Sequence, residues 1–212
     1  MPNRFAALVA AGICLVAALV ITRRDNPAPT ISHPIGKLAP TPGPSSDGYV
    51  TGKRAYLSEL AEKSPDASAS ALVSFAKRLR PRDVEQLMTG MKVGVVFAMF
   101  PGAPPEAPRV VTTVQAAVAK RAVEIADTTR AEIQALQARR DPASAPLVAD
   151  RRRELAQTTP DCACVYAAVV QRTTVGRLAS LQRSSLVRLV DVPDPLTDDL
   201  SGWQLTPIAP KA

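Results

Sequence analysis

The sequence predicts an α+β fold built on one mixed sheet. Val-rich runs that suit strands alternate with segments whose apolar residues recur every three or four positions, as in helices. Residues 71–101 and 164–193 also share one pattern: an apolar run, a basic residue, a short helix and a Val-rich strand that ends at Pro. Two such halves, joined by a hairpin and a long helix, give the order β-α-β-β-α-β-α-β. That order is the ferredoxin-like plan with an extra α-β unit.

The composition sets the size of the fold and the nature of its core. The chain has 212 residues, 46% of them apolar but only 4% aromatic, so Ala, Val and Leu must fill most of the core. This length suits one domain plus an appendage. Three of the basic residues flank the apolar N-terminal segment, and residues 25–212 carry 23 basic and 19 acidic residues. We therefore expect no nucleic-acid binding.

An apolar segment, residues 5–22, follows the N-terminal flank of residues 1–4. It has 18 residues and no charge, and about 17–25 apolar residues span a bilayer as a helix. A cleaved secretory signal and a buried soluble helix are the alternatives. The long run and the absence of a clear Ala-x-Ala site favour an uncleaved anchor. We expect residues 5–22 to lie in membrane lipid as a single transmembrane helix.

Residues 23–48 form the predicted linker. Pro at positions 27, 29, 34, 40, 42 and 44 predicts an extended, semi-rigid tether, and His33 is expected to be a solvated residue of it. The basic residues on the two sides of the anchor nearly balance and lean towards a cytoplasmic C-terminus. A near-terminal anchor followed by a Pro-rich spacer is instead typical of an exported domain. We expect an extracytoplasmic domain at the cell membrane.

The first half of the predicted domain, 49–195, contains two short helices and up to three strands. Apolar spacing predicts a helix over 53–63, and Pro81 at a first-turn position followed by Gly90 predicts another over 81–89. Residues 71–79 fit a helix or a strand, and the repeated pattern favours the strand. Val and Phe predict a strand over 92–100, and residues 109–115 are predicted to complete a hairpin with it.

The second half begins with a long amphipathic helix over 116–140, interrupted by Asp141-Pro142 and followed by a helix over 146–158. Residues 162–171 are apolar on both faces, which predicts a central strand. A helix over 173–183 and an outer strand over 186–192 follow. The C-terminal tail, 196–212, is expected to wrap around the domain or fray, with Trp203 pinning it.

Cys162 and Cys164 are the sharpest local candidate site. Residues two apart on a strand point to the same face. The pair could therefore form a disulfide, act as a redox pair or supply half of a metal site. Structural zinc takes four ligands, and the spacing differs from the Cys-x-x-Cys of thioredoxin-like sites. We expect a structural disulfide or packed thiols.

Other charged groups predict no chemistry. Asp161, Asp191, Asp194, Asp198 and Asp199 suit turns next to Pro better than a facing pair of catalytic carboxyls. The Arg run at 151–153 adjoins acidic residues and suits a solvated helix face better than a phosphate site. We expect no catalytic residues, no cofactor and no metal.

The segment CVYAAVVQRTTVGRLASLQRSSLVRLVDVPDP, residues 164–195, resembles C-terminal parts of actinobacterial single-pass envelope proteins of unassigned function. The resemblance implies an anchor joined to a folded domain. We expect a non-enzymatic binding, adaptor or sensor domain with a protein partner, its contact surfaces being a sheet edge and the helix at 116–140. A cytoplasmic regulator that sequesters a signalling or transcription factor, or an enzyme of unfamiliar type, is the alternative.

Overall fold

A four-stranded antiparallel sheet lies at the centre of the fold. The computed structural model describes residues 37–38, 46–107, 109–208 and 210. The sheet contains β2 (Ser68–Leu79), β3 (Lys92–Ala98), β4 (Val165–Thr174) and β5 (Val187–Asp191), in the order β3-β4-β2-β5. A separate parallel pair joins β1 (Lys37–Leu38) to β6 (Gln204–Leu205). The α+β class is confirmed, but the predicted mixed sheet is wrong because all three pairs within it are antiparallel.

Five α-helices occur in the described part of the chain. They are α1 (Ser46–Lys63), α2 (Pro81–Leu87), α3 (Val114–Ala138), α4 (Ala145–Gln157) and α5 (Val175–Gln182). Helix α2 connects β2 to β3 across β4, and α5 connects β4 to β5 across β2. The two stretches that share a sequence pattern each form one of these split β-α-β units.

Residues 71–79, which fit either a helix or a strand, form the last nine residues of β2. One face of the sheet carries a row of fully buried small apolar side chains: Val96, Ala168, Val73 and Val190, which are paired across the four strands. Helices α2, α5 and the first half of α3 cover this face. A strand buried on both faces must be apolar at nearly every position, which is why β2 lacks a clean alternation.

The predicted strand over 109–115 is wrong. Val110 donates its backbone N–H to the Gly94 carbonyl at 2.8 Å, and Arg109 forms an isolated bridge with Val95. The chain then turns into α3, because the Thr113 hydroxyl accepts the Ala116 N–H at 3.0 Å as an N-cap. The β-branched run suggested a strand, but the cap begins the helix at Val114.

The C-terminal segment covers the other face of the sheet. The Ile208 backbone N–H donates to the Ser74 hydroxyl at 3.1 Å, and Leu38 and Leu200 are buried against Phe97. Trp203 packs on this cluster, as predicted for a residue that pins the tail. Residues 37–38, predicted within the linker, belong to this layer.

Helices α3 and α4 form a helical hairpin (residues 114–157) inserted between the two split units. Val118 and Ile125, in the first half of α3, are buried in the core cluster of the sheet. Farther along, Thr129 and Ile133 are buried outside that cluster, where α3 packs on α4. An ion pair between Arg151 and Glu132, 3.0 Å apart, also joins the two helices.

The N-terminal region lies mostly outside the described residues, including the predicted membrane segment 5–22 and His33. Within the described ranges, no helix combines the length and apolar character needed to cross a bilayer. Helix α1 begins at Ser46 rather than near residue 53, so residues 46–48 of the predicted linker are helical.

Candidate functional site

A buried carboxylate, Asp191, lies at the end of edge strand β5 and faces α1. Only 2% of Asp191 is exposed. The Tyr49 hydroxyl donates a hydrogen bond to its Oδ2, and the Lys53 ammonium lies 2.9 Å from its Oδ1. Lys53 also donates to the Val192 carbonyl at 3.0 Å. Because Tyr49 and Lys53 are one helical turn apart, both reach the same carboxylate and hold α1 against the sheet.

Burial raises the pKa of the Asp191 carboxyl, while the hydrogen bond from Tyr49 and the positive charge of Lys53 oppose that rise. Next to this cluster, burial raises the pKa of Tyr56, and the nearby Asp194 carboxylate adds to the effect. The Lys53 Nζ also lies 5.8 Å from the centres of both the Tyr49 and Tyr56 rings, within cation–π range. These contacts pair the Lys53 ammonium with groups of the fold, and the cluster holds α1 against the sheet.

We predict that Asp191→Asn alters how stability depends on pH. The raised pKa means that the native chain binds this proton more tightly than the unfolded chain, whose Asp pKa is about 3.9. The stabilisation that this tighter proton binding gives to the folded state is fully present below the unfolded pKa, and it is lost as the pH rises through the folded pKa. The free energy of unfolding of wild type minus that of Asp191→Asn should therefore fall as the pH rises from about 4. Urea unfolding of both proteins from acidic to neutral pH measures it, and a difference that grows with pH would contradict the raised pKa.

The other candidate carboxylates each bind a separate neighbour. Asp198 accepts the Ser68 hydroxyl at 2.6 Å, and the Asp161 carboxylate lies 3.6 Å from the Arg80 guanidinium. Asp199 accepts hydrogen bonds from Ser201, which lower its pKa. These contacts fix turns and the C-terminal segment. Within the described ranges, no group of three His, Cys, Asp or Glu residues is placed to hold a metal ion.

Cys162 and Cys164 lie in the turn before β4, and the structure places their sulfurs at bonding distance, with 5.2 Å between the Cα atoms. Cys164 is buried and its carbonyl accepts the Met99 N–H at 3.0 Å, whereas Cys162 is half-buried. A bond here would close the turn that leads into the central strand.

A sheet edge was predicted as a contact surface, and both edges of the sheet already have partners. Along β3, Ala98 exchanges two backbone hydrogen bonds with Glu106. Along β5, the Arg54 guanidinium donates to the Arg188 carbonyl at 2.7 Å. A peptide that added a strand at either edge would have to displace these groups.

The Arg run at 151–153 divides into two kinds of residue. Arg151 pairs with Glu132 and Glu154, and Arg153 pairs with Asp150, as expected of a solvated helix face. Arg152 makes no ion pair or hydrogen bond among the described residues. It lines a cavity of about 550 Å³ together with Arg140, at the turn between α3 and α4.

Two of these arrangements were not predicted from the sequence: the Lys53–Asp191 ion pair and the cavity lined by Arg140 and Arg152. The residues of the first pair are far apart in the chain, and no local signal links them. In comparisons with protein-family models, curated proteins and solved structures, the chain matches none.

Proposed function

We propose that the chain is a single-pass membrane protein whose α+β domain is a non-enzymatic binding or adaptor domain on the extracytoplasmic side. The apolar segment 5–22 and the Pro-rich residues that follow it support the anchor and the tether. The strand order and the two split β-α-β units support a ferredoxin-like arrangement. The predicted extra α-β unit is wrong, because the described chain between β3 and β4 has no strand and forms the helical hairpin of α3 and α4 instead. The resemblance of residues 164–195 to actinobacterial envelope proteins supports the same organisation.

The helical hairpin is the observation that carries the binding role. Its distal half buries Thr129, Ile133 and Val148 where the two helices pack together, outside the core cluster of the sheet. A distal half that lies outside the core cluster of the sheet and presents two helix surfaces to solvent is suited to contact another molecule. A disulfide between Cys162 and Cys164 would suit the extracytoplasmic side, because disulfides persist in oxidising compartments.

A reporter fusion at the C-terminus tests the side of the membrane. We expect alkaline phosphatase, which is active only outside the cytoplasm, to be active when it is fused after residue 212. Green fluorescent protein fused at the same position should give no fluorescence, because it does not become fluorescent when it is exported unfolded. An active fluorescent fusion and an inactive phosphatase would place the domain in the cytoplasm and favour the regulator that sequesters a factor.

We predict that Leu15→Arg/Leu19→Arg releases the protein from the membrane. An Arg near the centre of a spanning helix, where residue 15 lies, costs about 2.5–3.5 kcal/mol on the insertion scale. The second Arg, at residue 19, adds a smaller cost and removes another apolar side chain from a segment of only 18 residues. Carbonate extraction should find wild type in the pellet and the variant in the supernatant. The matched control Leu15→Ile/Leu19→Ile should stay in the pellet. Wild type in the supernatant would contradict the anchor.

A further inference from the structure

The turn of the helical hairpin carries unpaired positive charge. We define residues 136–153 as the hairpin tip. Within the part of the chain that the structure describes, the guanidinium groups of Arg139, Arg140 and Arg152 make no ion pair or hydrogen bond. Arg140 and Arg152 line the cavity of about 550 Å³, although they are twelve positions apart.

The nearby acidic groups do not cancel this charge. Asp141 also lines the cavity, but its Oδ1 accepts the Ala143 backbone N–H at 2.9 Å and caps the short helical turn that precedes α4. Asp150 pairs with Arg153 on another face of α4. Arg140 and Arg152 therefore line the cavity together with one acidic residue, Asp141.

Exposed apolar side chains also occur in the hairpin tip. Leu147 is 54% exposed, among the most exposed large apolar residues of the described chain, and Pro142, Ala143 and Pro146 are exposed beside it. A short exposed segment that combines unpaired Arg with exposed apolar side chains has the composition of a surface that lies at the boundary between lipid headgroups and acyl chains.

We propose that the hairpin tip binds the anionic headgroups of a phospholipid bilayer, with Arg140 and Arg152 contacting headgroup phosphates and Leu147 entering the interface. The planar guanidinium group suits this contact because it binds phosphate oxygens in a bidentate manner. The inference rests on the proposed function, since the anchor at 5–22 keeps the domain close to a bilayer. It assigns a partner to the hairpin that the proposed function leaves open.

Hydrogen–deuterium exchange of the full chain in lipid nanodiscs tests the proposal. In nanodiscs that contain phosphatidylglycerol, amides of residues 136–153 should exchange more slowly than in pure phosphatidylcholine nanodiscs. Arg140→Gln/Arg152→Gln should weaken the association with the anionic bilayer about 25-fold. Each basic residue near an anionic surface contributes about 1 kcal/mol, and a change of about 1.4 kcal/mol corresponds to a tenfold change in affinity. Exchange at the tip should then match that in the neutral nanodiscs.

The matched control Arg82→Gln/Arg183→Gln removes the same charge from exposed residues elsewhere and should retain the slow exchange. Equal exchange in the two lipids, or equal loss in both double variants, would overturn the proposal. Slow exchange with inorganic phosphate in neutral nanodiscs would assign the cavity to a free anion instead. A chain that does not enter nanodiscs at all would overturn the anchor, and the same measurement with added phosphatidylglycerol vesicles would still decide the tip.

Discussion

Phe97→Asp is expected to abolish the cooperative unfolding transition of the domain. Phe97 is 9% exposed under the C-terminal segment, and its ring centre lies 6.1 Å from that of Tyr166. Losing a buried aromatic side chain costs about 3–5 kcal/mol, and burying an unpaired carboxylate adds several more. Their sum reaches the total stability of about 5–15 kcal/mol that folded domains have. Circular dichroism of the full chain in nonionic detergent should show no sigmoidal melting curve.

Val111→Asp is the control for this change, because Val111 is 91% exposed in the loop before α3 and should tolerate a charge. A wild-type melting curve for Phe97→Asp would contradict the position of β3 in the sheet and the covering of the sheet by residues 200–208. Loss of folding in both variants would show a general intolerance of new charge, and the result would then say nothing specific about Phe97.

Lys53→Met is expected to lower the free energy of unfolding by about 3 kcal/mol, the lower end of the cost of breaking a buried ion pair. The variant leaves Asp191 buried with the Tyr49 hydrogen bond alone. The lower end applies because Lys53 is only partly buried. Urea unfolding at neutral pH measures the loss, and the docking of α1 on β5 should weaken with it.

A second substitution separates the ion pair from the rest of the cluster. Lys53→Met/Asp191→Leu removes both charges, and we expect it to recover most of the stability, because buried pairs can often be replaced by apolar residues. Lys63→Met, on the same helix but in an exposed pair with Glu59, should have little effect. A double variant as unstable as Lys53→Met would show that the lost packing of Lys53, rather than its charge, stabilises α1.

The strands and short helices of the two split units follow from local pattern. Residues 81–87, 175–182 and 187–191 form the two helices and the outer strand that were predicted over 81–89, 173–183 and 186–192. The central strand, predicted over 162–171, occupies 165–174, so Cys162 and Cys164 lie in the turn before it rather than on the strand. Local signals were misread at two places. Thr113 is an N-cap that ends the apparent strand over 109–115, and α1, predicted from residue 53, begins at Ser46.

The candidate sites depend on pairings between distant segments. Lys53 meets Asp191 only because α1 packs on β5, and Arg140 and Arg152 line one cavity only because α4 folds back along α3. A pattern with a period of two or 3.6 residues records which side of an element is apolar, but it contains nothing about which element will cover that side.

The amino-acid sequence alone determined that this chain has an apolar N-terminal segment, a proline-rich stretch and a region in which strands and helices alternate. Each of these features depends on residues that are close together in the chain. Tertiary packing decided that the sheet is antiparallel, that the C-terminal segment covers its second face and that Asp191 is buried beside a lysine. The physical reason is that burial and charge pairing are properties of surfaces brought together by the whole fold.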